Sequence, residues 1–178
     1  MTLVETKIDS KPIYNGNIIT VSVDTVMLPN GDKAEREVAR HNGGVCVLAV
    51  TAENKVVLVK QFRYVTGEEL FEIPAGKRDS KDEDPYSGAM RELEEETPYF
   101  AERLELLYRF YPAPGFCDEE LHLYQAIGLQ LGSTRELDDD EFIEVYEFTK
   151  EEVLELLNND KIHDGKTIIA LQYWLNKE

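Results

Sequence analysis

Three glutamates, Glu92, Glu95 and Glu96, fall on one side of a short helical segment that follows a glycine-bearing turn, Pro74-Ala75-Gly76, and an acidic loop. On a helical wheel of about 100° per residue, Tyr86, Met90, Leu93 and Thr97 take the other side, and Gly88 sits among the carboxylates. Like charges at this spacing repel, and Arg91 offsets part of that, chiefly through Glu95 four residues on. A solvated acidic face is the plain alternative. The apolar back face and the upstream glycine favour another reading, because hard divalent cations such as Mg²⁺ take their ligands from carboxylates, backbone carbonyls, water and phosphates. The pattern reads as a metal site.

The elements around it must hold those carboxylates in place. Pro85 can open the helix, since its missing N–H would be unpaired in the first turn anyway, and the periodicity runs from Tyr86 to Thr97. Residues 1–16 are polar and give little signal, Ile18 to Val26 alternates as a half-buried strand, and Lys33 to His41 reads as a polar strand after the turn Pro29-Asn30-Gly31-Asp32. Val45–Val50 and Val56–Val59 are apolar enough for buried strands, with a hairpin at Ala52-Glu53-Asn54-Lys55. Glu69–Ile73 leads into the glycine turn. Strands follow at Arg103–Tyr111, Leu121–Ile127 and Phe142–Phe148, separated by the rigid loop 112–120 and the loop 132–140. Thr149 with Glu152 matches a capping box opening a helix over Val153–Asn158, and Asp164 can cap a final helix from Lys166 to Asn176. Strands mixed with helices, on connections this short, predict an α/β (α+β) sandwich and no doubly wound sheet.

With 178 residues, 42% of them hydrophobic and 31% charged, the chain fits one folded core preceded by a small extension. We expect a β extension over 1–42 and the main domain over 43–178. A formal charge of −17 argues against nucleic acid or an anionic membrane as partner. It also means that a phosphate-rich substrate needs bound metal or placed arginines. There is no secretory signal pattern and no apolar run long enough to span a bilayer. Cys46 and Cys117 have no metal spacing and read as reduced thiols of a cytoplasmic protein. His41, His122 and His163 have no spacing that suggests a triad or a zinc site.

The stretch around the glutamates resembles the signature of the Nudix hydrolases: Gly76, Glu83, Arg91, Glu92, Leu93, Glu95, Glu96 and Tyr99 match by type. Six residues rather than five separate Gly76 from Glu83, and Pro98 replaces the final glycine, so the turn after the helix must differ locally. Glu37–His41, Val59–Arg63, Glu72–Gly76 and Tyr111–Phe116 resemble the ADP-ribose pyrophosphatase branch, and the likeness spans roughly 14–175. The resemblance implies a Nudix-type α/β/α sandwich with a mixed sheet, behind a small N-terminal antiparallel β extension. It also implies Mg²⁺ or Mn²⁺ held by the Ala75 carbonyl, Glu92, Glu96 and Glu141, with Glu95 beside them. The general base would be Asp139, with Glu119 or Glu120 able to swing in instead. Arg36 and Arg63 match substrate-contacting positions, and Gly115 and Phe116 lie in the loop that points to ADP-ribose. The implied reaction is metal-dependent hydrolysis of ADP-ribose to AMP and ribose 5-phosphate, in a homodimer with exchanged N-terminal strands. ADP-glucose, GDP-mannose or a Nudix protein that binds without turnover are the alternatives.

Overall fold

A computed structural model describes residues 2–132 and 142–177, which divide into two compact units. The first contains the residues up to Gly43 together with Tyr111–Glu120; the second contains Gly44–Phe110 and the chain from Leu121 onward.

In the first unit, β1 (Thr6–Asn15), β2 (Ile19–Met27) and β3 (Lys33–His41) form an antiparallel sheet with β2 in the middle. The strand β1 was not expected from the sequence. Every one of its residues is exposed, so no apolar period marks it. Pro12 is tolerated there because an edge strand can spare an N–H, and the register with β2 shifts between Pro12 and Tyr14. The loop 111–120 is stitched to β3. Ala39 N–H donates to the Phe116 carbonyl at 2.7 Å, Asp118 N–H to the Ala39 carbonyl at 3.2 Å, and His41 N–H to Asp118 Oδ1 at 2.8 Å.

The second unit is layered around β4 (Gly44–Leu48), whose residues are all buried. Alternate side chains of a strand point to opposite faces. Val45 and Val47 therefore enter one core with Ala89, Leu93 and Tyr124, while Cys46 and Leu48 enter a second core with Val153, Ala170, Leu171 and Trp174. The following strands are β5 (Val56–Arg63), β6 (Glu68–Glu72) and β7 (Ala75–Lys77), and the helix α1 (Pro85–Glu96) comes next. Then come β8 (Tyr99–Phe100), β9 (Arg103–Phe110), β10 (Leu121–Ile127), β11 (Gln130–Leu131), β12 (Glu144–Phe148), α2 (Lys150–Asn158) and α3 (Gly165–Leu175). One sheet runs β7-β4-β10-β9 and another β12-β5-β6, with β8 and β11 as a separate pair. The β4–β10 pairing is parallel and its neighbours are antiparallel, so the sheet is mixed. With α1 over one core and α2 and α3 over the other, this is the expected α/β/α sandwich.

One expectation changes. The turn at Ala52–Lys55 forms, but the hairpin it was to close is one bridge deep, Val50 opposite Val56. Beyond that point β4 and β5 part into different sheets, since each has a longer partner elsewhere. The helix starts hold as read. Thr149 and Glu152 make both legs of the capping box, and Asp164 caps α3 by accepting from Thr167 N–H at 2.9 Å. Caps of this kind contribute about 1 kcal/mol each. Among the described residues no helix is long and apolar enough to cross a membrane.

Candidate active site

Asp84 caps α1, taking Ser87 N–H at 3.2 Å, and Pro85 occupies the first helical position as read. The wheel needs one correction. Gly88, Glu92 and Glu96 recur every fourth residue and are buried alongside Ala89 and Leu93, whereas Tyr86 is 38% exposed. The carboxylate stripe is thus an inward face. It packs on β7, and the fit depends on glycine. A Cβ at Gly76 would stand 2.1 Å from the Glu92 carboxyl carbon, closer than any real side chain is tolerated. Glu96 Oε2 accepts the Ala75 N–H at 2.8 Å. Ala75, Gly76, Glu92 and Glu96 therefore meet at one place.

Arg91 holds the rest of the cluster. Its Nη1 lies 2.9 Å from Glu92 Oε1 and 2.8 Å from Glu95 Oε2, and its Nη2 lies 3.6 Å from Glu83 Oε1. Burial works to lower the Arg91 pKa, but Glu92, Glu95 and Glu83 outweigh it and raise the value, so the guanidinium stays charged. Its reach to Glu92 as well as Glu95 was not legible from spacing alone. Glu95 is the half-exposed member, turned to Arg91. The loop carrying the extra residue is folded by Arg78, which donates to the Glu83 carbonyl, while Glu83 Oε2 accepts Asp79 N–H at 2.7 Å.

Pro98 has a clear local consequence. Thr97 takes φ −139° and ψ 159°, the extended conformation that a residue before proline prefers, and the chain runs straight into β8. The Pro98 carbonyl accepts Gly132 N–H at 2.9 Å, and Thr97 Oγ1 accepts Tyr99 N–H at 3.2 Å. The carboxylates of α1 lie upstream of this change.

Arg63 ends β5 with its guanidinium on Glu72, Nε to Oε1 at 2.6 Å and Nη2 to Oε2 at 2.8 Å. The hydrogen bond to Glu72 raises the Arg63 pKa, and the charge of Glu96 adds to it, which ties this arginine electrostatically to the carboxylate face. Burial pushes the Glu72 carboxyl up, but Arg63 and Lys166 together hold it below its ordinary value. Neither Glu72 nor Lys166 was assigned a role from the sequence. They are far apart in the chain, and Glu72 is one of three glutamates in a five-residue strand, with nothing local to set it apart.

The remaining predicted residues belong to the first unit or lie outside the described residues. Arg36, in the first unit, is bound by Glu5 at 2.6 and 3.0 Å. Gly115 and Phe116 lie in the loop stitched to β3; Phe116 is 61% exposed, and a side chain at Gly115 would meet nothing within 4 Å. Glu120 also belongs to the first unit. Asp139 and Glu141, with Asp138 and Asp140, lie outside the described residues.

The donor chemistry at Ala75, Glu92 and Glu96 suits a hard divalent cation, since all the ligands offered are oxygens and both carboxylates are buried. Among the described residues, no group of three or more His, Cys, Asp and Glu side chains is gathered as a preformed cage. Glu92 and Glu95 instead share the single positive charge of Arg91.

Comparison with known proteins adds to this geometry. Residues 40–171 match the NUDIX domain, and residues 5–39 match the nucleoside diphosphate sugar hydrolase N-terminal domain. A protein named methanol dehydrogenase activator, from Bacillus methanolicus, is 46% identical over 95% of this chain and 91% of its own length. An ADP-ribose pyrophosphatase of Bacillus subtilis (strain 168) is 46% identical over 99% of this chain and 96% of its own length. A GDP-mannose pyrophosphatase of Escherichia coli O1:K1 / APEC is 32% identical over 97% and 94%. Among solved structures, one described as an ADP compounds hydrolase superposes with a TM-score of 0.84 at 20% identity, covering 98% of this chain and 96% of that one. That last likeness is one of fold.

Proposed function

Because this chain belongs to the Nudix family, we propose that it hydrolyses ADP-ribose to AMP and ribose 5-phosphate in a reaction dependent on Mg²⁺ or Mn²⁺. A water oxygen bonds to one phosphorus, the bridging P–O bond breaks, and the departing phosphate keeps that electron pair while the water gives up its protons. The observation that carries the reading is the Glu92 carboxylate seated in the space a side chain at residue 76 would fill, beside Glu96 on the Ala75 amide.

The Ala75 carbonyl, Glu92, Glu96 and Glu141 would hold the cation. When bound, it supplies positive charge to the diphosphate and lowers the pKa of a bound water. The chain's own residues do the rest. Arg91 offsets part of the charge of Glu92 and Glu95, which eases their repulsion on one helix face. Arg63 spends Nε and Nη2 on Glu72, and its Nη1, for which no partner stands among the described residues, would meet a phosphate oxygen. Proton removal falls to Asp139, the position the family pattern offers, with Glu119 or Glu120 able to swing in instead and Glu95 beside the cation's carboxylates. Arg36, Gly115 and Phe116 belong to substrate binding in this reading.

The test is product analysis with Mg²⁺ and with EDTA. AMP should appear from ADP-ribose with the metal and stop with the chelator, well above turnover of ADP-glucose or GDP-mannose. Turnover of GDP-mannose alone would replace the substrate and keep the chemistry; the E. coli relative favours that second reading. Binding of ADP-ribose with no turnover of any of them would overturn hydrolysis.

The exposed Ile8, Ile13 and Tyr14 of β1, with Leu3, Val4 and Ile18 nearby, leave an apolar edge on the first unit. A second copy of the chain, exchanging its N-terminal strands, is the partner we assign to it. Sedimentation should give twice the chain mass at micromolar concentration; a monomer there sinks the assignment. Both cysteines are thiols, which supports a cytoplasmic location.

A further inference from the structure

We propose that Lys166, at the start of α3, is a positioning residue that fixes Arg63 for the diphosphate by gripping the Glu72 carboxylate on which Arg63 forks. This rests on the reading that Arg63 contacts the substrate. Glu72 is 1% exposed at the end of β6, and Lys166 Nζ donates to the same Oε2 that Arg63 Nη2 engages. Lys166 is itself anchored, 3.0 Å from Asp164 Oδ1. Asp164 Oδ2 takes Thr167 N–H at 2.9 Å and the Thr167 hydroxyl at 2.6 Å, and that hydroxyl accepts the N–H of Ile73, the residue after Glu72, at 2.8 Å. The first turn of α3 is therefore bolted to both Glu72 and its neighbour.

The geometry says what this does for Arg63. The fork on Glu72 uses Nε and Nη2, so the plane of the guanidinium, and with it the direction of Nη1, is set by where the Glu72 carboxylate stands. The Arg63 side chain is 40% exposed, so its outer edge is reachable. A buried carboxylate with one cation would follow that cation or take up a proton. With Lys166 as a second cation on Oε2, Glu72 stays put and ionised. Arg63 is then aimed by a fixed anion instead of carrying a mobile one along.

Steady-state kinetics on ADP-ribose should show Lys166→Met raising KM about tenfold, the scale seen for residues that orient others at a site, with kcat changed much less. Lys166→Arg should restore most of the loss. Added to Arg63→Ala, Lys166→Met should raise KM no further, because the residue it aims is gone. A merely structural role would lower Tm and the active fraction and leave KM at its original value. If Lys166→Met fails to fold, the double change Glu72→Gln with Lys166→Met keeps the local charge balance and should show the same raised KM. Arg63→Ala with a raised KM beside Lys166→Met with an unchanged one would overturn the positioning role alone. An unchanged KM in Arg63→Ala would overturn the substrate contact, and this proposal with it.

Discussion

Glu96→Gln is expected to keep the fold and lose nearly all turnover. The amide has the volume of the carboxylate and retains an oxygen to accept the Ala75 N–H that Glu96 now takes at 2.8 Å. Removing one of several like charges on the helix relieves repulsion, so the melting temperature should hold or rise slightly. What disappears is the anion. Changes that only orient metal ligands already cost about ten- to a hundredfold in activity, so loss of a ligand should cost at least a hundredfold in kcat. The checks are the rate of AMP release and a thermal melt on the same preparation. Unchanged turnover with an unchanged melt would take Glu96 out of the site.

The second large effect is Gly76→Ala. The backbone at this position has no positive φ, so alanine is allowed by conformation and refused only by contact. Its Cβ would lie 2.1–2.3 Å from the Glu92 carboxyl atoms. The Glu92 side chain can swing at its far end, disturbing the 2.9 Å contact it makes with Arg91. Overpacking of this kind costs about 1–3 kcal/mol, whereas activity should fall as steeply as in a Glu92 truncation. Gly165→Ala is the matched control, because nothing stands within 4 Å of its new methyl. Full activity in Gly76→Ala would mean that the Glu92 position is not the working one.

Much of the fold was legible because it is locally encoded. Pro85, the Thr149–Glu152 box and Asp164 are chemical marks of helix starts, and all three helices begin where those marks stand. The apolar runs at β4 and the first half of β5 name themselves as buried. The strand β1 did not, since a strand exposed throughout has no period, and β7, β8 and β11 are too short to have one. Part of the candidate site was legible as well. The spacing of Glu92 and Glu96 from Gly76 could be read, and the close approach explains why residue 76 is glycine. The partition of charge could not be read. Whether Arg91 serves Glu92 or Glu95, and whether Glu72 has a second cation, depends on contacts between distant segments that leave no mark in any one of them.

The position of β4 has a consequence for how the chain is made. This strand leaves the ribosome early, yet its parallel partner β10 is Leu121–Ile127, and the helix that covers Leu48 lies near the C-terminus. Parallel pairing between distant segments is slow, and a core strand left waiting for it is prone to aggregate. Until Ala170, Leu171 and Trp174 have been synthesised, the emerging chain carries one uncovered hydrophobic face.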